Sequence, residues 1–106
     1  MIPVIAIFDI GKTNKKFFLL DESYSIVLER SVPFDEIKDE DGDPCDDIDR
    51  LTKWVVETFT EILQIKKFDV KAVNFSAYGA SFVYVDGYGK AITPLYNFLK
   101  KYPEPL

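Results

Sequence analysis

Residues 2–20, IPVIAIFDIGKTNKKFFLL, combine an apolar run, a polar turn and a second apolar run, and this order decides the start of the fold. The run from Ile2 to Phe8 is unbroken and rich in β-branched residues, which is typical of a strand covered on both faces. Gly11 interrupts the pattern, and Lys16 to Leu20 is predicted to form a second strand. The segment therefore predicts two antiparallel strands joined by a short polar turn.

The rest of the chain predicts further strands and one helix. Hairpin and strand patterns indicate strands at Ile26–Ser31, Val70–Phe75 and Phe82–Asp86. Between them, one apolar stripe at helical spacing is formed by Ile48, Leu51, Trp54, Val55, Phe59, Ile62 and Leu63. Asp46 or Asp47 is expected to cap this helix, and the acidic segment from Asp35 to Asp49 before it is expected to be a solvated loop.

The predicted order is three hairpin-linked antiparallel strands, a helix that crosses the sheet and further strands. This α/β order resembles the ribonuclease-H-like layout of actin-like ATPase lobes, an analogy of fold alone. The expectation is that residues 1–106 form one partial N-terminal lobe.

Composition excludes several classes of function. The chain has 13 basic and 18 acidic residues, a net charge of −5, which disfavours non-specific binding to nucleic acid or an anionic membrane. The apolar N-terminus reaches Asp9 before it could span a bilayer. A single cysteine, Cys45, excludes an intrachain disulfide and fits a reducing cytoplasm. Since histidine is absent, chemistry must use carboxylates, lysines, hydroxyls and backbone amides.

The polar turn Asp9-Ile10-Gly11-Lys12-Thr13-Asn14-Lys15-Lys16 is the candidate functional segment. Gly11 lets backbone amides approach an anion, Thr13 and Asn14 add neutral donors, and the lysines add positive charge. These properties suit a phosphate, and Asp9 at the edge of such a cradle suits Mg²⁺ or its water shell. The alternative is a charged hairpin tip without a ligand.

Two other motifs are rejected. The triplet Gly11-Lys12-Thr13 looks like the end of a P-loop, but Ala6 stands where that motif needs its first glycine, and a strand rather than a helix follows. The alternating Asp39, Asp41 and Asp43 resemble the start of an EF-hand, but Pro44 replaces the required glycine and Arg50 the required glutamate.

The chain resembles the FGGY carbohydrate kinases, whose first strand ends in Asp-Ile-Gly-Thr-Thr-x-x-Lys. Asp9, Gly11, Thr13 and Lys16 match this motif, whereas Lys12 replaces its first threonine. Similar anchors recur at residues 73–77, at Val85-Asp86 with Gly89, and at Pro94, so the resemblance spans nearly the whole chain.

The resemblance implies an ATP-dependent kinase that phosphorylates a small-molecule sugar or polyol, with ATP and Mg²⁺ as cofactors. It implies that Gly11, Lys12, Thr13, Asn14 and Lys16 bind the nucleotide with Asp9, which also orients the metal. Tyr78 and Asn97 stand near the family's sugar-binding positions, where the chain departs from its pattern, and they are the candidates for contact with the sugar or polyol. The general base is expected beyond Leu106, and a homo-oligomer is compatible with this interpretation.

Two other functions remain open. In a ribonuclease-H-like nuclease, Asp9 would share two metals with Asp86 or Glu57, although the acidic balance argues against it. A non-catalytic, actin-like binding module is the third hypothesis. No role is assigned to Cys45, and Trp54 and Phe59 are expected to lie in the core.

Overall fold

The computed structural model describes residues 1–79, 81 and 83–96 and divides the chain into two compact units. The first unit contains residues 1–34 and 51–78, and the second contains residues 35–50 and 79–106. Helix α1 (Ile48–Leu63) has residues 48–50 in the second unit and residues 51–63 in the first.

The first unit is built on a four-stranded sheet. Its strands are β1 (Ile2–Ile10), β2 (Asn14–Leu20), β3 (Ile26–Pro33) and β6 (Phe68–Ala77), in the spatial order β3-β2-β1-β6. The hairpin-linked strands β1, β2 and β3 are antiparallel, and β6 lies parallel to β1 after the helical crossover. The predicted order of three antiparallel strands, a crossing helix and a returning strand is confirmed.

Alternation along β1 and β2 places the core on one face of this sheet. Val4, Ala6 and Phe8 of β1 and Phe17 and Leu19 of β2 are buried. Helix α1 contributes Ile62 to the same cluster, and the cluster is completed by Phe68 of β6. Because strand side chains point alternately to opposite faces, the residues between these, such as Ile5, Ile7 and Phe18, face away from this core.

Aromatic rings join the sheet to the helix at one end of this core. Phe8 lies 4.8 Å from Phe17, 5.6 Å from Trp54 and 5.1 Å from Phe75 between ring centroids. Phe34 also contacts the Trp54 ring, edge-on, with 6.0 Å between the centroids. The prediction that Trp54 belongs to the core is confirmed, since tilted and edge contacts at these distances add to the stability supplied by burial.

Two details of α1 refine the prediction from sequence. The Asp47 carboxylate accepts a hydrogen bond from the Arg50 amide at 3.1 Å, so Asp47 is the N-cap of the two candidates. Leu63 was predicted on the apolar stripe but is 59% exposed, whereas Thr58 is buried. The stripe was therefore wrong at Leu63, which follows the buried Ile62 by one residue, about 100° of helix rotation, and so faces solvent.

The second unit corrects the prediction of a solvated acidic loop. It contains strands β4 (Ile37–Lys38), β5 (Pro44–Asp46) and β7 (Leu95–Tyr96), in the order β4-β5-β7. Asp39, Cys45 and Asp46 are buried. The sequence concealed this structure because β5 pairs with β7, a partner from a remote part of the chain.

The predicted strand at Phe82–Asp86 is also corrected. Phe82 lies outside the described residues, and in residues 83–86 the structure shows an isolated bridge between Val85 and Ala91. Asp86 begins a tight turn there, because its carboxylate accepts hydrogen bonds from the amides of Tyr88 and Lys90.

Within the part of the chain that the structure describes, three turns share this geometry. In each, the carboxylate of the first residue accepts bonds from the amides two and four positions later; these first residues are Asp21, Asp39 and Asp86. The fourth residue has positive φ in all three: 61° at Tyr24, 78° at Gly42 and 81° at Gly89. The aspartate carboxylate thus holds each turn by an Asx-type hydrogen-bond pattern.

Candidate functional site

The candidate site lies where the carboxyl ends of β1 and β6 meet. These neighbouring strands are parallel, and Asp9 is paired with Ser76 in their register. The Tyr78 amide donates a hydrogen bond to the Ile10 carbonyl at 3.3 Å and extends the pairing beyond β6. Ligands of open α/β sheets bind preferentially at such carboxyl ends.

Three polar side chains share one face of the sheet at this end. Asp9 is paired with Lys16 on one side and with Ser76 on the other. Since Phe8 points into the core, Asp9 and its two partners face away from α1. A carboxylate, an ammonium and a hydroxyl therefore lie side by side across three strands.

The loop from Gly11 to Asn14 closes tightly on itself. The Gly11 amide donates a hydrogen bond to the Asn14 carbonyl at 3.1 Å. A Cβ added to Gly11 would lie 2.8 Å from the same oxygen, which is closer than real Cβ contacts. Glycine is therefore required by the close approach of the two backbone segments.

Lys15 lies beneath this loop. Its side chain is fully buried, and its Nζ donates hydrogen bonds to the carbonyls of Gly11 at 2.6 Å and Lys12 at 3.0 Å. The rings of Phe34 and Tyr78 lie 5.3 Å and 5.7 Å from the same nitrogen. Such distances allow cation–π attraction, so two carbonyl dipoles and two aromatic faces contribute to holding the buried charge.

The predicted site residues fall into three groups. Six occupy the β1–β2 hairpin together: Asp9, Gly11, Lys12, Thr13, Asn14 and Lys16. Tyr78 lies next to this hairpin, because its amide is bonded to the Ile10 carbonyl and its ring lies near Lys15 Nζ. Its contact with a sugar stays a prediction. Asn97 lies outside the described residues.

The burial of Lys15 beneath the loop was not predicted from the sequence. The second strand was predicted to begin at Lys16, which left Lys15 in the turn, but β2 begins at Asn14. With that start, strand alternation places Lys15 on the same face as Phe17 and Leu19, both buried. Counting back by twos from these residues would have identified it.

The other acidic residues considered above are engaged in turns or lie elsewhere. Carboxylate oxygens of Asp39, Asp41 and Asp43 lie within 4.8 Å of one another, but Asp39 accepts the amide bonds that form its turn. Glu57 is exposed on α1, which packs on the sheet face opposite to Asp9. The structure therefore does not bring Glu57 to Asp9.

Comparison with solved structures shows which fold this is. The chain superposes on a gluconate kinase from Lactobacillus acidophilus with a TM-score of 0.73 and 21% identity, over 90% of this chain and 19% of that one. A ligand-bound xylulose kinase from the same organism superposes with a TM-score of 0.71 and 21% identity, over 88% of this chain and 19% of the kinase. Plasmodium falciparum glycerol kinase with ADP superposes with a TM-score of 0.75 and 16% identity, over 89% of this chain and 20% of the kinase.

The chain therefore has the same fold as the matched part of these sugar kinases. The chain spans about a fifth of the length of each kinase that it matches. No protein-family model matches the sequence, and no curated protein matches it. In the described part of the chain, no helix is long and apolar enough to cross a membrane.

Proposed function

We propose that residues 1–106 form part of the N-terminal lobe of an ATP-dependent carbohydrate kinase, which transfers the γ-phosphoryl group of ATP to a sugar or polyol hydroxyl. The observation that carries the proposal is the loop from Gly11 to Asn14, at the carboxyl ends of two parallel strands and beside Asp9. The likeness in fold to three sugar kinases supports it.

The residues present suit a nucleotide phosphate. The contacts of the loop hold carbonyl oxygens inside the protein, where they would not repel an anion. Thr13 and Asn14 are exposed and offer a hydroxyl and an amide as donors. Lys12 and Lys16 add positive charge, so the hairpin combines the three kinds of group that bind phosphate.

Asp9 suits a magnesium ion that accompanies the nucleotide. Its carboxylate is half-buried at the end of β1, with the ammonium of Lys16 and the hydroxyl of Ser76 on the neighbouring strands. A carboxylate in this setting would hold the ion or its water shell rather than the phosphate itself, because like charges repel. The bound ion would neutralise phosphate charge, which is the main electrostatic requirement of phosphoryl transfer.

Tyr78 and Asn97 are proposed to contact the sugar or polyol. Tyr78 follows β6 directly, and its amide is bonded to Ile10 at the end of β1. Its side chain therefore starts from the same end of the sheet as the phosphate loop. The position of Asn97 in this proposal rests on the resemblance to the carbohydrate kinases alone.

Titration of the folded chain with Mg-ATP, followed by amide chemical shifts, tests nucleotide binding. We expect the largest shifts at Lys12, Thr13 and Asn14, and weaker Mg²⁺-dependent binding in Asp9→Asn. Glu22→Gln, an exposed acid in a distant turn of the same unit, is the matched control and should leave binding unchanged. Shifts scattered over the surface, with none in the loop, would refute the phosphate site.

Turnover tests the assignment as a kinase. In the complete protein, sugar-dependent release of ADP is expected, and Asp9→Asn is expected to lower kcat by about 100-fold or more, since positioning and electrostatics dominate this reaction. Metal-dependent cleavage of labelled nucleic acid, without sugar-dependent release of ADP, would favour the nuclease instead. Full activity of Asp9→Asn would remove the proposed role of Asp9.

A further inference from the structure

The buried ammonium of Lys15 has a role that the resemblance to carbohydrate kinases does not assign. We infer that Lys15 is a positioning residue, which sets the orientation of the Gly11–Asn14 loop so that its amides face a bound phosphate. The inference about loop orientation stands on the contacts of Lys15, and its consequence for phosphate rests on the proposed function.

Peptide geometry links Lys15 to the amides. In a trans peptide, the carbonyl of one residue and the amide of the next point in opposite directions, and the described residues contain no cis peptide bond. The Gly11 and Lys12 carbonyls both point to Lys15 Nζ. The amides of Lys12 and Thr13 therefore point away from Lys15, toward the outer side of the loop.

The remaining carbonyls of the loop are also held by the protein. The Thr13 carbonyl accepts a bond from the Phe34 amide at 3.1 Å, and the Asn14 carbonyl accepts one from Gly11. Together with the two bonds to Lys15, each carbonyl from Gly11 to Asn14 has a donor within the first unit. Lys15 supplies two of these four bonds, so it contributes most to the orientation.

A lysine suits this position better than a neutral donor. An ammonium has three donors and no acceptor, so it can bind two carbonyls without presenting a lone pair to the loop. Its charge also lies behind the amides and would add to the attraction of an anion, because the interaction is weakly screened in a buried site. Burial of a charge costs free energy, and the Phe34 and Tyr78 rings offset part of that cost.

A purely structural role makes a different prediction. If Lys15 only filled space, methionine would replace it well, since it has a similar length and no charge to desolvate. Loss of loop orientation would instead weaken anion binding in a variant that is still folded. Stability and binding therefore separate the two roles.

The experiment compares Lys15→Met and Lys15→Gln with Lys66→Met, an exposed lysine that serves as control. Amide hydrogen exchange reports on the Gly11 and Phe34 bonds, and titration with Mg-tripolyphosphate reports on the anion site. We expect faster exchange at both amides and at least about tenfold weaker binding in folded Lys15→Met, with Lys15→Gln intermediate because it keeps one donor group. The control should match the wild type.

Each result decides the inference. If folded Lys15→Met shows the wild-type exchange rates at Gly11 and Phe34 and the wild-type affinity for Mg-tripolyphosphate, the inference is overturned. If Lys15→Met does not fold, the nitrogen-15 spectrum of the wild-type Lys15 ammonium decides, because a buried, hydrogen-bonded ammonium exchanges slowly with solvent; a signal lost to rapid exchange would overturn the inference. If the wild type binds no tripolyphosphate, the proposed phosphate site fails, while the exchange of Gly11 and Phe34 still tests the loop orientation.

Discussion

The amide of Gly11 and the carbonyl of Asn14 close the candidate phosphate loop with a hydrogen bond of 3.1 Å. This closure leaves no room for a side chain at Gly11, because its Cβ would lie 2.8 Å from the Asn14 oxygen. The oxygen belongs to the backbone, and the position of a Cβ is fixed by the backbone of its own residue. The contact therefore cannot be relieved by a change of rotamer.

Gly11→Ala is expected to lower the free energy of unfolding by about 1–3 kcal/mol, the usual cost of overpacking. It should also weaken polyphosphate binding, since the Gly11–Asn14 bond must open. Chemical denaturation and titration measure the two effects. Gly87→Ala is the control, because its Cβ would meet nothing within 4 Å, and an equal loss of stability in both variants would contradict the prediction.

Tyr24→Gly is expected to stabilise the protein by about 0.5 kcal/mol. Tyr24 has a φ of 61° in a turn whose two counterparts have glycine, and this conformation costs other residues about 1–2 kcal/mol. Glycine removes this cost, but its greater freedom in the unfolded chain cancels part of the stability gained. Little packing is lost, because the side chain is 80% exposed.

Thermal and chemical denaturation measure the effect of Tyr24→Gly. The matched variant is Gly42→Ala, which places a Cβ at the same position of the second turn, where φ is 78°, and should be destabilising. The changes in the free energy of unfolding should therefore have opposite signs in the two variants. A destabilised Tyr24→Gly would show that the tyrosine ring contributes more than its exposure indicates.

The Cys45 thiol is expected to react slowly with alkylating reagents. It is also expected to make the free energy of unfolding fall as the pH becomes alkaline. Burial raises its pKa, and the neighbouring carboxylates, Asp39 first, raise it further. The unfolded chain then loses the thiol proton at lower pH than the folded protein does. The stability from this group is therefore complete below the ordinary cysteine pKa of about 8.5 and falls as pH rises toward the higher folded value.

Two measurements check the prediction for Cys45. Alkylation at neutral pH should be at least about tenfold slower in the folded protein than in the denatured chain, because the thiolate is the nucleophile. The alkaline decline of the unfolding free energy should be smaller in Cys45→Ala than in the wild type. Equal declines would show that Cys45 does not contribute to it.

Much of the first unit was predictable from the sequence because its patterns are local. The apolar run to Phe8, the break at Gly11 and the stripe that includes Trp54 and Ile62 each indicate one element by their spacing. The position of the hairpin site followed from the same patterns. The strands of the acidic segment did not follow, since β5 pairs with β7 from a remote part of the chain. The burial of Lys15 was not predicted, because β2 begins two residues earlier than expected.

The sequence by itself determined that a polar loop containing Asp9, Gly11 and Lys16 follows a buried strand, because short-range periodicity and turn residues specify such an arrangement. Only the tertiary structure decided that Ser76 lies beside Asp9 and that Lys15 lies beneath the loop against Phe34. The parallel pairing of β1 with β6 and the contact of Phe34 with Trp54 bring these groups together. Both join distant parts of the chain, where burial of apolar surface and strand hydrogen bonding must act together to select one register.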